Sequence, residues 1–152
     1  MARRVPRSLA LALSLAAAAA AASEFRATSE VAVLYDAPSV KGKPLFVIGR
    51  DYPLEVVVSL DAWLKVRDAG GTVAWVERKA VSDRRTLVVR APVAEILASP
   101  DAAAPVVFKA EQNVLLELIE SAQGPAMPGG WVRVRHRDGQ TGFVRIAQVW
   151  GL

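Results

Sequence analysis

The sequence contains no cysteine, and it contains only one histidine, His136. The absence of cysteine excludes disulfide bonds, a cysteine nucleophile and a lipid anchor on an N-terminal cysteine. With one histidine and no thiolate, the chain also lacks the usual ligands of a zinc cluster. Its stability must therefore come from packed secondary structure rather than from covalent or metal cross-links.

Residues that commonly carry catalysis are equally scarce. His136 lies between Arg135 and Arg137, and no nucleophile motif such as G-x-S-x-G accompanies it. The carboxylates show no pair at a spacing typical of glycoside hydrolysis. We interpret His136 as an ordinary strand or turn histidine, and we expect a protein without enzymatic activity, catalytic residue, metal or cofactor.

The N-terminus has the pattern of an export signal. Arg3, Arg4 and Arg7 precede an apolar run of 14 residues, 9–22, which ends in small residues. This order is typical of a secretory signal, and the run is shorter than the roughly 20 residues of a spanning helix. A cleaved signal peptide at residues 1–22 is therefore favoured over an uncleaved anchor. We expect an exported, periplasmic or secreted protein without stable membrane insertion after cleavage.

The charge balance argues against a nucleic-acid partner. The formal net charge of +4 includes the three arginines of the export signal, so the mature chain is near +1. A nucleic-acid-binding protein would concentrate basic residues on one surface. We therefore expect no nucleic acid among the partners.

An internal repeat organises the rest of the chain. Residues 31–59 align without a gap with residues 93–121, and after a six-residue insertion the alignment resumes at an offset of 68. The insertion falls in SAQGPAMPGG, whose prolines and glycines are typical of a loop. Pairs at the resumed offset include Trp63 with Trp131 and Gly71 with Gly139. The sequence thus predicts two units, residues 28–83 and 84–152.

Each unit has the pattern of short β-strands. PLFVIG and PVVFKA are apolar runs of strand length, and AWLKVRDAGGTVAWVE and GWVRVRHRDGQTGFVR each predict a hairpin around a glycine turn. Asp138 and Gly139 form the stronger turn pair. The connector strand, residues 86–90, either separates the units or completes one of them. Five short strands in about 55 residues predict a small barrel for each unit.

The order of these motifs resembles the bacterial SH3-like family of exported two-repeat proteins. The matching segments are PLEVVVSLDAWLKVRDAGGTVAWV with SDRRTLVVRA, then PDAAAPVVFKAEQNVLLELIE and GWVRVRHRDGQTGFVRIAQVWG. Ala74, in place of the family's glycine before the second hairpin aromatic, and Phe143, in place of its tryptophan, depart from the pattern. The resemblance implies an all-β fold with two SH3-like barrels in tandem.

One strand suggests a binding surface. Alternation places Trp131, Arg133 and Arg135 on one face of the strand, and Arg137 continues the series. The first unit repeats the pattern with Trp63, Lys65 and Arg67. Such a row can hold an anionic or glycan partner by stacking and charge-assisted hydrogen bonds. The alternative is a solvated face on which arginine stems cover the tryptophan.

The other aromatic residues have expected roles in packing rather than in this surface. We expect Trp75 and Phe143 to be core residues, and Trp150 to pack in the core or anchor the C-terminal tail. Tyr35, in Leu34-Tyr35-Asp36, resembles the aromatic motif with which eukaryotic SH3 domains hold proline-rich peptides. The second unit has Leu97 and Ala98 at the corresponding place. Binding of proline-rich peptides is therefore not favoured.

The resemblance implies a function in the cell envelope. Bacterial SH3-like domains are often attached to cell-wall enzymes, so we expect a non-catalytic binding or scaffolding module for peptidoglycan or another envelope component. A periplasmic protein–protein adaptor is one alternative. A structural or inhibitory partner of an enzyme is another. The expected partner is thus a cell-wall glycan or peptide, or an envelope protein.

The export signal gives the first testable prediction. Cleavage is expected between about Ala20 and Glu24, because the apolar run ends there in the small residues that signal peptidases require. N-terminal sequencing of the exported protein measures the cleavage point. An exported protein that still begins at Met1 would contradict the assignment.

Overall fold

The computed structural model describes residues 23–119 and 130–152. The expected signal peptide at residues 1–22 and most of the Pro- and Gly-rich loop lie outside the described residues. The described part forms two antiparallel sheets of seven strands each. It confirms the predicted all-β fold with two SH3-like units in tandem.

The first unit contains one sheet of seven short strands and one 3-10 helix. The strands are β1 (Glu24–Thr28), β2 (Ala32–Tyr35), β3 (Pro44–Ile48), β4 (Pro53–Ser59), β5 (Trp63–Arg67), β6 (Val73–Glu77) and β7 (Val81–Ser82). The 3-10 helix, Arg78–Ala80, joins β6 to β7. The strands are ordered β3-β2-β6-β5-β4-β1-β7 across the sheet. We call this unit repeat 1.

The second sheet repeats this architecture, and we call it repeat 2. Its strands are β8 (Thr86–Val89), β9 (Val93–Leu97), β10 (Val106–Glu111), β11 (Leu115–Leu118), β12 (Trp131–Arg135), β13 (Thr141–Arg145) and β14 (Val149–Trp150), with a 3-10 helix, Ile146–Gln148, before β14. Their order, β10-β9-β13-β12-β11-β8-β14, is that of the first sheet with every strand replaced by its equivalent.

A leading strand completes each sheet. The connector, whose position was left open, forms β8 and pairs with β11 and β14, so it belongs to repeat 2. Its equivalent in repeat 1 is β1, which pairs with β4 and β7. The residues of β1 carry no strand pattern that predicts this pairing. Repeat 1 therefore includes residues that precede position 28.

The local geometry follows the predicted repeat. Trp63 pairs with Glu77 across its hairpin, and Trp131 pairs with Arg145 at the equivalent place. Gly71 and Gly139 both have positive φ angles, 89° and 96°, which the hairpin turns require and which glycine adopts without strain. The two hairpins therefore have the same register and the same turn.

Strand alternation gives each repeat its own core. The inward-facing residues are aliphatic and nearly inaccessible, because successive side chains of a strand point to opposite faces. In repeat 1 the core comprises Ala32, Leu34, Leu54, Leu64, Val66, Ala74, Val76 and Ala80. In repeat 2 it comprises Leu87, Val89, Ala94, Ile96, Ala110, Leu116, Val132, Val134, Val144 and Val149.

A small aromatic contact joins the two repeats. The rings of Phe25 in β1 and Trp150 in β14 meet edge to face with their centroids 5.1 Å apart. The guanidinium of Arg85 lies 5.5 Å from the Phe25 ring and donates a hydrogen bond of 2.8 Å to the carbonyl of Gly151. Burial lowers the pKa of Arg85. Trp150 thus anchors the C-terminal tail, and it does so against the other repeat.

Gly142 in β13 gives a stability prediction. A Cβ there would lie 2.6 Å from Cγ2 of Ile96 and 2.7 Å from the carbonyl oxygen of Leu97. Repeat 1 carries Ala74 at the equivalent position, so the substitution tests packing rather than backbone conformation. Gly142→Ala should lower the free energy of unfolding by about 1–3 kcal/mol, since β9 must move away. Chemical denaturation measures this effect.

The reverse substitution in repeat 1 is the matched control. Ala74→Gly removes a methyl group and adds backbone freedom, and it should cost only about 0.5–1 kcal/mol. A Gly142→Ala variant as stable as the parent would show that β9 leaves room for a Cβ atom at this position.

The turn of the second hairpin gives a pH prediction. The backbone N–H of Gln140, the side-chain amide of Gln140 and His136 together lower the pKa of Asp138 to about 2. A lowered pKa means that the ionised carboxylate favours the folded state. This stabilisation is complete above the unfolded value of about 3.9 and is lost as the pH falls through 2. Carboxyl-carbon NMR should therefore show Asp138 titrating near pH 2, whereas a midpoint near 4 would contradict these contacts.

Candidate functional site

The tryptophan of the predicted basic strand is not exposed. Trp131 is only 4% exposed although it is not part of the repeat 2 core cluster. The guanidinium carbon of Arg145, on the paired strand β13, lies 4.5 Å from the Trp131 ring centroid. This arrangement corresponds to the alternative in which an arginine stem covers the tryptophan, and the arginine comes from β13 rather than β12.

The arginines of the same region are exposed without an accessible aromatic partner. Arg133, Arg135 and Arg137 are all exposed, and Arg137 lies beyond the end of β12 in the turn. The Nη1 atom of Arg135 is 3.5 Å from Oε2 of Glu117. Repeat 2 therefore presents cations on this face, and its indole ring is not available for stacking.

The equivalent residues of repeat 1 have a different environment. Trp63 is half-buried, and its ring meets Tyr35 edge to face with centroids 5.6 Å apart. The Nζ atom of Lys65 lies 5.8 Å from the Trp75 ring centroid. Arg67 instead forms an ion pair of 2.8 Å with Glu55. The structure thus groups two of the predicted residues, Trp63 and Lys65, with two other aromatic residues.

We call Tyr35, Trp63, Lys65 and Trp75 the aromatic face of repeat 1. Strand register brings it together, because Trp75 pairs with Tyr35 of β2 on one side and with Lys65 of β5 on the other. Trp75 points outward because its neighbours Ala74 and Val76 point into the core. All four side chains are half-buried, so each is packed yet keeps accessible surface.

Sequence reasoning missed two members of this face. Trp75 was expected in the core, although the alternation of buried Ala74 and Val76 would have placed it outside. Tyr35 was not predicted to bind, because the second unit has Leu97 at that position. Leu97 is buried in repeat 2, so the difference means that the two repeats present different surfaces. It does not exclude a site in repeat 1.

A charge reversal explains why only one of the two equivalent tryptophans is covered. Arg145 pairs across the sheet with Trp131, and Glu77 pairs at the same place with Trp63. A guanidinium is attracted to the negative face of an indole ring, whereas a carboxylate is not. Glu77 instead forms an ion pair of 2.8 Å with Lys79, and this hydrogen bond raises the pKa of Lys79.

The single histidine, His136, contacts Asp138 and Phe108. Nδ1 of His136 lies 3.0 Å from Oδ2 of Asp138. Its ring packs 5.7 Å from Phe108. Within residues 23–119 and 130–152, no group of three or more His, Asp or Glu side chains is arranged to hold a metal ion.

The same residues contain no helix that is long and apolar enough to cross a membrane. Besides the aromatic face, the described residues form a charged cleft at the junction of the repeats.

Comparisons with known proteins agree with the repeated fold. A family model described as Bacterial SH3 domain matches residues 28–83 and, separately, residues 91–151. No curated protein matches the chain. Among solved structures, the chain is similar to NlpC2 from Trichomonas vaginalis, at 13% identity and a TM-score of 0.37, over 85% of this chain and 48% of that one.

NlpC1 from the same organism is similar at 14% identity and a TM-score of 0.37, over 92% of this chain and 50% of that one. The chain thus spans about half the length of these two structures. The family matches cover most of the chain, and they fall one on each sheet. The protein belongs to the bacterial SH3 domain family, as two copies in tandem.

Proposed function

We propose that this protein is a non-catalytic, exported binding module of the cell envelope that holds peptidoglycan on the aromatic face of repeat 1. The observation that carries the proposal is the cluster of Tyr35, Trp63 and Trp75, three aromatic side chains that are half-buried on an outer sheet face. Aromatic residues that keep accessible surface on a rigid sheet are typical of binding sites, because they bury much area at little cost in side-chain entropy.

The chemistry of the face suits a glycan. The apolar C–H surface of a sugar ring can pack on an indole, and the contact is stabilised by the apolar area that both partners bury. Lys65 adds a cation beside Trp75 that can pair with a carboxylate on the glycan or on its peptide. Two indoles on one face can engage neighbouring sugars of a strand, which favours a polymer over a small molecule.

Other features support binding over catalysis and an exported location. The one histidine is engaged with Asp138 and Phe108. The sequence pattern of residues 1–22 supports export to the periplasm, where the wall polymer lies. A protein–protein adaptor is the second candidate function, and it is favoured by Leu45 and Val47, apolar residues exposed on the edge strand β3.

Sedimentation with purified peptidoglycan tests the proposal. Trp75→Ala removes a half-buried indole that keeps accessible stacking surface, and we expect it to weaken retention by about tenfold, the effect of losing about 1.4 kcal/mol. Phe143→Ala is the matched control, because Phe143 occupies the equivalent position in repeat 2. Lys65→Ala with Arg133→Ala forms a second matched pair. Melting temperatures identify variants that lose stability rather than a binding contact.

The outcomes separate the candidate functions. Equal retention of Trp75→Ala and the parent would contradict binding at the aromatic face. If Arg133→Ala combined with Arg135→Ala reduces retention more than Trp75→Ala does, the site is the basic strand of repeat 2. If the parent protein does not sediment at all but co-purifies with a defined envelope protein, the adaptor function is correct.

A further inference from the structure

A charged cleft lies at the junction of the two repeats. It has a volume of about 540 Å³ and is lined on one side by Arg50 and Asp51 of repeat 1 and on the other by a wall that includes the charged residues Arg84, Glu117, Arg135 and Arg137. Sites for small ligands typically have volumes of about 300–1,000 Å³. We call this cavity the inter-repeat cleft. It exists only because the repeats are packed together, and it is separate from the aromatic face.

An ion-pair network fixes part of the cleft wall. Arg84 donates a hydrogen bond of 2.9 Å from Nη1 to Oδ1 of Asp51, and its Nη2 lies 3.4 Å from Oε2 of Glu117. Arg135 approaches the same Glu117 oxygen at 3.5 Å. Both carboxylates of the cleft are therefore engaged by arginines. They position those guanidinium groups and are not free to attract a cationic ligand.

Two further arginines have no comparable partner. Arg50 is 3.9 Å from Asp51, at the limit of an ion pair, and its side chain is 68% exposed. Arg137 forms no ion pair with any residue in the described ranges. The lining contains four arginines and two carboxylates, so the cleft carries a formal charge of +2. The guanidinium forks of Arg50, which is weakly paired, and of Arg137 match the oxygens of carboxylates and phosphates.

A buried hydroxyl is the second, independent observation. Thr86 lines the cleft and is only 3% exposed, and its Oγ1 atom has no hydrogen-bond partner. Buried polar groups in proteins nearly always have a partner, so an unpartnered donor in a cavity wall often marks a ligand position. Because Oγ1 itself is inaccessible to solvent, it reaches an anionic oxygen held by the arginines only after the side chain rotates about its Cα–Cβ bond.

We propose that the inter-repeat cleft binds an oxyanionic group, a carboxylate or a phosphate. Arg50 and Arg137 supply the guanidinium forks, one from each repeat, and Thr86 donates its hydroxyl. The pre-positioned Arg84 and Arg135 add to the positive potential. Because its arginines come from both repeats, such a ligand would bind only to the paired arrangement. The proposal does not rest on peptidoglycan binding by the aromatic face.

Titration of the full chain with two probes tests this site. Citrate represents carboxylates and inorganic phosphate represents phosphates, each at constant ionic strength maintained with sodium chloride. Backbone amide NMR should show saturable shifts at residues 50–51, 84–86, 113–117 and 135–139, and not at the aromatic face. Saturation by citrate alone identifies a carboxylate site, and saturation by phosphate alone identifies a phosphate site.

Two variants with a matched control complete the test. Arg50→Ala combined with Arg137→Ala should weaken binding by about tenfold or more, because two charge-assisted contacts are lost. Lys41→Ala combined with Arg133→Ala removes the same charge from exposed positions outside the cleft and should change the dissociation constant less than about twofold after ionic screening. Thr86→Val should weaken binding without lowering the melting temperature, because the hydroxyl has no partner in the protein.

Three results would overturn the proposal. One is the absence of saturable shifts with both probes. Another is an equal loss of binding in the control double variant, which would show that only net charge matters. The third is unchanged binding in the Arg50 and Arg137 double variant while its melting temperature equals that of the parent. None of these results affects the sedimentation test of the aromatic face.

Discussion

The arrangement of this molecule depends on the junction between its repeats, where Phe25 meets Trp150 and strand β4 of repeat 1 lies beside β8 of repeat 2. Two small units with separate cores have little reason to remain packed unless apolar surface is buried between them. The edge-to-face rings, 5.1 Å apart, provide that surface, and Arg85 holds the tail in place through the carbonyl of Gly151. Gly151 is buried, and a Cβ there would lie 2.6 Å from the carbonyl oxygen of Thr86. The inter-repeat cleft depends on this junction.

The two repeats have similar residues at equivalent core positions and different residues at equivalent positions on their outer faces. Leu34 and Ile96 fill equivalent core positions, whereas Val33 and Val47 in repeat 1 are replaced by the ion pair of Glu95 with Lys109, 3.1 Å apart. Core packing tolerates little change in volume, and solvated positions tolerate much more. Strand alternation therefore lets one fold present two chemically different surfaces in a single chain.

The sequence predicts features that depend on residues close together in the chain better than features that depend on distant residues. The hairpin around Gly139 was predictable because turn chemistry acts over a few residues, and the equivalence of Trp63 and Trp131 was predictable because the internal repeat is visible in the sequence itself. β1 was not, because this strand forms by long-range pairing, of Phe25 with Glu55 and of Arg26 with Leu54. The covering of Trp131 by Arg145 depends on register across a hairpin, so single-strand alternation could not reveal it.

The two proposed surfaces depend on the fold in different ways. The aromatic face belongs to strands β2, β5 and β6 of one repeat, and it requires only the register of that sheet. The inter-repeat cleft has arginines from both repeats and would vanish if they separated. The network of Arg84 with Asp51 and Glu117 crosses the junction, and partly exposed ion pairs contribute little to stability in water. Its charges therefore serve better to shape a binding site than to hold the repeats together, which leaves that role to the buried contacts of the junction, Phe25 with Trp150 and β4 with β8.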